Sequence, residues 1–223
     1  MSVSEAKRVL AIEAEGLQAV HDQLGPEFEE AIDLILACPT RLVVTGIGKS
    51  GLIGQKIAAT LNSTGTPSFF LHPVEAMHGD LGLVAPTDVV LALSYSGETA
   101  ELNQLLHSVQ QRNVPIIAIC GRPLSSLGQI AQVVLNSAVP REACPLGLAP
   151  TASTTAMLAM GDALAVVLLE RKHFQAEDFR RNHPGGSLGA RLKVAIREVM
   201  LIGAAVPQVG IGSNLAEAVA ELN

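Results

Sequence analysis

Two short stretches hold the residues best suited to chemistry. In Leu93 to Leu102, LSYSGETAEL, three hydroxyls (Ser94, Ser96 and Thr99) surround Gly97 where a helical pattern begins. Free backbone N–H groups and the helix dipole favour an anion at such a place. An ordinary Ser/Thr cap accounts for one hydroxyl, not for three beside a glycine. The expected ligand is a monophosphate bound by hydroxyls and amides, with no Lys or Arg needed in the loop. The second stretch is VVTGIGKSG, Val43 to Gly51, a strand-to-helix turn carrying Gly48, Lys49 and Ser50.

Two nucleotide readings of that second turn fail. Gly46, Gly48 and Gly51 have the G-x-G-x-x-G spacing, but a dinucleotide site wants an acidic residue after the next strand for the ribose hydroxyls. Here PSFFLH ends on His72, and Glu75 arrives only after a proline. A Walker loop needs glycine at the position of Val43. Lys49 is instead expected to reach a substrate whose phosphate lies at Ser94 to Thr99, because ligands of an open parallel sheet gather at the carboxyl ends of its strands.

The elements that must position these turns are legible as alternating periods. Residues 4–37 read as two helices broken at Gly25-Pro26. RLVVTG, PSFFLH, DVVLALS, VPIIAIC and QVVLNS read as five strands, with helices expected over Ser50 to Ser63 and Glu98 to Arg112. Apolar runs of this kind suit central parallel strands. The alternation predicts an α/β fold, a three-layer αβα sandwich around a doubly wound five-stranded parallel sheet. Thr151 to Lys172 is apolar nearly all round and is expected as a buried or interface helix. A further helix is expected near Leu188, after RNHPGGSLG. We read N-terminal helices over 1–39, one α/β domain over 40–195, and a tail of different character over 196–223.

Composition narrows the function. The chain has 223 residues, 48% hydrophobic and 16% charged, with a formal net charge of −6. So few charges favour an oligomer that buries apolar helix faces. The acidic balance and the lack of a basic run argue against nucleic acid. Cys38, Cys120 and Cys144 are widely spaced and odd in number, which suits reduced thiols in a cytoplasm. No signal peptide is read at the N-terminus and no stretch reads as a membrane span.

Residues 40–190 resemble the sugar isomerase (SIS) domain, through the S-x-S-G-E-T loop. GIGKSG, STGTPSFFLHPVEAMHGDLG, EACPLGLAPTASTTAMLAMGDALA and HPGGSLG are similar, more closely, to the arabinose 5-phosphate isomerase family. The resemblance implies interconversion of ribulose 5-phosphate and arabinose 5-phosphate, on the route to the lipopolysaccharide sugar Kdo, by a cofactor-independent enzyme. It also implies a homotetramer, and a tail that opens the first of two CBS modules and stops inside it. The sequence does not reveal whether a pathway product such as CMP-Kdo binds as a feedback inhibitor. The alternatives are a sugar-phosphate sensor of the same fold, or an isomerase of another ketose phosphate.

Moving a proton between C1 and C2 through an enediolate needs a base, help with ring opening and charge stabilisation at oxygen. By resemblance this work falls on Lys49, Glu101, Glu142 and His183. Glu142 is expected to be the base, its pKa raised by an apolar surrounding. His183 is assigned ring opening, in its own or a neighbouring subunit's site, and Lys49 the enediolate charge. Glu101 is expected to position Lys49 or a sugar hydroxyl. His72 and His78 are expected near the substrate. With His183 they offer imidazoles to zinc, which we read as an adventitious or inhibitory ligand touching His78 first.

Overall fold

The computed structural model describes residues 2–184 and 200–221. They fall into two units, Met1–Asn182 and His183–Asn223. The first opens with α1 (Ser2–Asp22) and α2 (Glu27–Leu36), separated where Gly25-Pro26 interrupts the pattern. Strands and helices then alternate: β1 (Leu42–Gly46), α3 (Gly48–Ser63), β2 (Ser68–Leu71), α4 (Pro73–Met77), β3 (Val89–Leu93) and α5 (Ala100–Gln110) follow in order. After them come β4 (Ile116–Cys120), α6 (Ser126–Ile130), β5 (Val133–Asn136), α7 (Ala152–Arg171) and α8 (Ala176–Asn182).

All five strands are parallel and their order is β2-β1-β3-β4-β5. The order reverses between β1 and β3, so the loops after these two strands diverge to opposite faces and leave a crevice at their carboxyl ends. β1, β3 and β4 are buried at every position, as expected of strands covered on both faces. Alternate residues part to the two sides. Val44, Leu91, Leu93, Ile117 and Ile119 pack with α2, α3 and α7. Val43, Val90, Ala92, Ile116 and Ala118 pack with α5 and α6. Each fully buried Leu or Ile contributes about 1.5–3 kcal/mol, so this double layer holds the sheet edge steady beneath the site.

The direction of α7 decides which end of the sheet its first residues share. Lys56 of α3 pairs with Asp162 of α7, Gly161 lies against Ile57, and Lys172 donates to Thr66 Oγ1 at 2.8 Å. Rising residue numbers match rising numbers, so α3 and α7 run parallel and start at the same end of the sheet. α7 has the length and hydropathy of a membrane span, yet half of that window is buried inside the protein. Its apolar character builds the core beside α3. The second unit contains a 3-10 turn, Gly203–Ala205, and α9 (Leu215–Glu221). The helix expected near Leu188 lies outside the described residues.

Candidate functional site

β1 and β3 are neighbours with Gly46 opposite Leu93, which brings the two turns singled out in the sequence side by side. Gly51 is needed here because the α3 backbone presses on β1: a Cβ on it would stand 2.8 Å from the Gly46 carbonyl oxygen. Lys49 is exposed at the first turn of α3. Among the described residues it makes no hydrogen bond or ion pair. A cation at a helix N-terminus is electrostatically unfavourable, and Ile47, the N-cap, provides no side-chain acceptor. Together they make an electropositive point that an anion relieves.

In the β3–α5 turn Ser94 is buried, and its Oγ accepts from Gly97 N at 3.1 Å and meets Thr99 Oγ1 at 3.0 Å. Ser96 Oγ accepts from Glu98 N at 3.2 Å. Gly97 has φ 67°, and a Cβ there would fall 1.9 Å from Ser125 Oγ, so only glycine fits. Thr99 caps α5 without a side-chain bond to it, leaving the first amides of the helix open. Glu98, although in the same loop, turns its carboxylate to α6. It accepts from Ser126 N at 3.0 Å and Ser126 Oγ at 2.6 Å, and these bonds hold its carboxyl below the usual range.

Glu142 sits at the start of α7, and therefore at the end of the sheet where α3 and Lys49 begin. Its Oε2 accepts from Thr151 N at 2.7 Å, Thr151 Oγ1 at 3.0 Å and Ser153 N at 3.3 Å, while Oε1 takes the Ser153 hydroxyl. The expected rise in its pKa is corrected by this geometry. Desolvation does push the carboxyl up, but the hydrogen bonds from Ser153 and Thr151 outweigh it, and the net shift is downward. Glu142 is an ionised carboxylate at neutral pH, with a lone pair on Oε1 left for a ligand.

The remaining expected residues are placed unevenly. His72 follows β2 and lines a concavity of about 560 Å³ with Gly48, Lys49, Gln55 and Phe70, and its buried Nδ1 has no hydrogen-bond partner among the described residues. Ser50 is half-buried in the first turn of α3, and Glu101 is exposed in the first turn of α5. His78 is exposed at the end of α4 and outside that lining. Among the described residues no three His, Cys, Asp or Glu side chains gather as a metal set. His183 opens the second unit. Sequence reasoning missed Thr151 and Ser153, whose bonds to Glu142 span nine and eleven positions and have no local signal. It also missed Ser125 and Ser126, which have no local signal linking them to Glu98.

A five-stranded parallel sheet covered by helices on both faces, with the two turns side by side at its switch point, defines a doubly wound α/β domain. The SIS domain family model matches residues 35–167. The chain belongs to the SIS domain family and is related to arabinose 5-phosphate isomerases. It is 49% identical over 220 residues to arabinose 5-phosphate isomerase KdsD of Pseudomonas aeruginosa, covering 99% of this chain and 68% of that protein. Against KdsD of Escherichia coli K12 it is 50% identical over 216 residues, covering 97% and 66%. The chain thus spans about two thirds of the length of these relatives. A solved structure from E. coli CFT073, in complex with arabinose 5-phosphate, aligns with TM-score 0.79 and 42% identity, over 82% of this chain and 97% of that one. The NanR protein of Vibrio vulnificus, at 18% identity and TM-score 0.67 over 88% of this chain and 69% of that one, shares the fold alone.

Proposed function

We propose that the protein is an aldose–ketose isomerase interconverting D-ribulose 5-phosphate and D-arabinose 5-phosphate, a step toward Kdo and lipopolysaccharide. The observation that carries the proposal is the pairing of the Lys49 turn with the Ser94–Thr99 turn across β1 and β3. The family relationship and the neighbour bound to arabinose 5-phosphate support it. Three free, well-separated thiols suit a cytoplasmic enzyme.

The phosphate is held by the Ser94, Ser96 and Thr99 hydroxyls and the open amides of α5. The sugar then lies toward Lys49 and His72. From the ketose, Glu142 takes a C1 proton, and the electron pair moves to give the C1–C2 enediolate, whose charge Lys49 stabilises. Passage of the O1 proton to O2 and return of a proton to C2 give the aldose. The Glu142 carboxylate is ionised and able to accept the C1 proton, while the hydrogen bonds that lower its pKa make it a weaker base than one poised near neutrality. The chain's own residues suffice for this route, without a metal step. Four donors on Glu142 also favour a second reading, in which Glu142 fixes the α7 N-terminus and exposed Glu101 moves the proton.

His183 opens the sugar ring in the site of a neighbouring copy. Asn182, directly before it, donates its side chain to Asn62 O at 3.1 Å, near the last turn of α3. Lys49 lies in the first turn, and a helix of 16 residues is about 24 Å long. The test of the activity is incubation of the purified protein with ribulose 5-phosphate and identification of the product by NMR. Arabinose 5-phosphate is expected; no aldose phosphate, or a different one, overturns the proposal.

A further inference from the structure

An acidic side chain in a phosphate loop is electrostatically misplaced, and Glu98 sits in the middle of this one. Its carboxylate would weaken anion binding by simple repulsion. The structure gives it another task. Both carboxylate oxygens are bound by Ser126, one taking the backbone N–H at 3.0 Å and the other the hydroxyl at 2.6 Å. One residue earlier, Gly97 O accepts from Leu127 N at 3.0 Å and from Asn103 Nδ2 at 3.1 Å. Gly97 itself lies directly on Ser125, whose Oγ in turn accepts from Gly128 N at 3.4 Å.

We infer that Glu98 is a positioning residue: it ties the β3–α5 phosphate loop to the β4–α6 loop and so fixes the hydroxyls and amides in the arrangement a phosphate monoester needs. The contacts cross between loops 28 residues apart in sequence, which local turn geometry alone cannot enforce. Because its oxygens are occupied by a hydroxyl and by the amide of a helix start, the charge is partly neutralised where it stands. Glu98 then acts on the ligand through Gly97 and Thr99, not by touching it. The inference rests on the phosphate-site reading above, and it reverses the sign that charge alone would give.

The test is Glu98→Ala, with Ser126→Ala and the double variant, assayed with ribulose 5-phosphate and titrated with inorganic phosphate by phosphorus NMR. Both side chains are exposed, and unfolding midpoints check that each variant folds. Glu98→Ala is expected to raise KM and the inorganic phosphate Kd about ten-fold, with kcat within about two-fold. Ser126→Ala gives a smaller rise, and the double variant is no worse than Glu98→Ala, as for two ends of one contact. Tighter or unchanged phosphate binding by Glu98→Ala overturns the inference, as does additivity of the two changes. If the wild type binds phosphate without isomerising the sugar, the activity reading fails while the phosphate titration still decides the role of Glu98. A wild type that binds no phosphate overturns both.

Discussion

At Glu142 two opposed effects meet in one side chain. Partial burial disfavours its charge, four hydrogen bonds favour it, and the bonds win. A carboxyl whose pKa is lower folded than unfolded stabilises the fold above the ordinary carboxyl range, and that contribution is lost as pH falls through the folded value. Glu142→Ala is therefore expected to lower unfolding free energy by about 1–2 kcal/mol at neutral pH, leaving the donors of Thr151 and Ser153 short of an acceptor. The difference from the wild type should shrink as the medium becomes acid, as followed by urea unfolding at several pH values. A gap that widens in acid would contradict the assigned charge. The residue was legible in the sequence as a lone acid in an apolar segment. Its environment was not, because Thr151 and Ser153 meet it from nine and eleven positions further along the chain, across a loop that no periodicity describes.

Elements were read more reliably than residues' surroundings, for a physical reason. Each of the five strands lies within the run that predicted it, since buried parallel strands are continuous apolar segments bounded by polar turns. The long helices α3, α5 and α7 follow the same logic. α4 and α6 have five residues each, too few to establish a helical period, and were not anticipated. That omission hid the partner of Glu98. The contact between α3 and α7 likewise needs three dimensions: Gly161 admits Ile57 so closely that an added Cβ would lie 2.3 Å from it. Gly161→Ala is expected to overpack this contact and cost about 1–3 kcal/mol, lowering the thermal midpoint. Gly82→Ala, with nothing within 4 Å of the new Cβ, should leave it nearly unchanged and serves as the control.

At the scale of the whole molecule, the 48% hydrophobic composition points to self-association. If His183 acts in a neighbouring copy, inactive Lys49→Ala and inactive His183→Ala proteins should complement each other on mixing and reassembly. Random assortment makes about a quarter of the sites intact when each site draws one residue from each of two copies. Activity that stays at the level of the single variants would show that each chain serves itself.

The proton-transfer step tests the account most directly. Ribulose 5-phosphate is incubated in heavy water with wild type, Glu142→Gln and Glu101→Gln, and deuterium at C2 of the aldose phosphate is read by NMR. The wild type is expected to form arabinose 5-phosphate labelled at C2, Glu101→Gln to retain measurable labelling, and Glu142→Gln to give none. Labelling by Glu142→Gln at the wild-type rate would contradict the assignment of the base and leave Glu142 as the cap of α7.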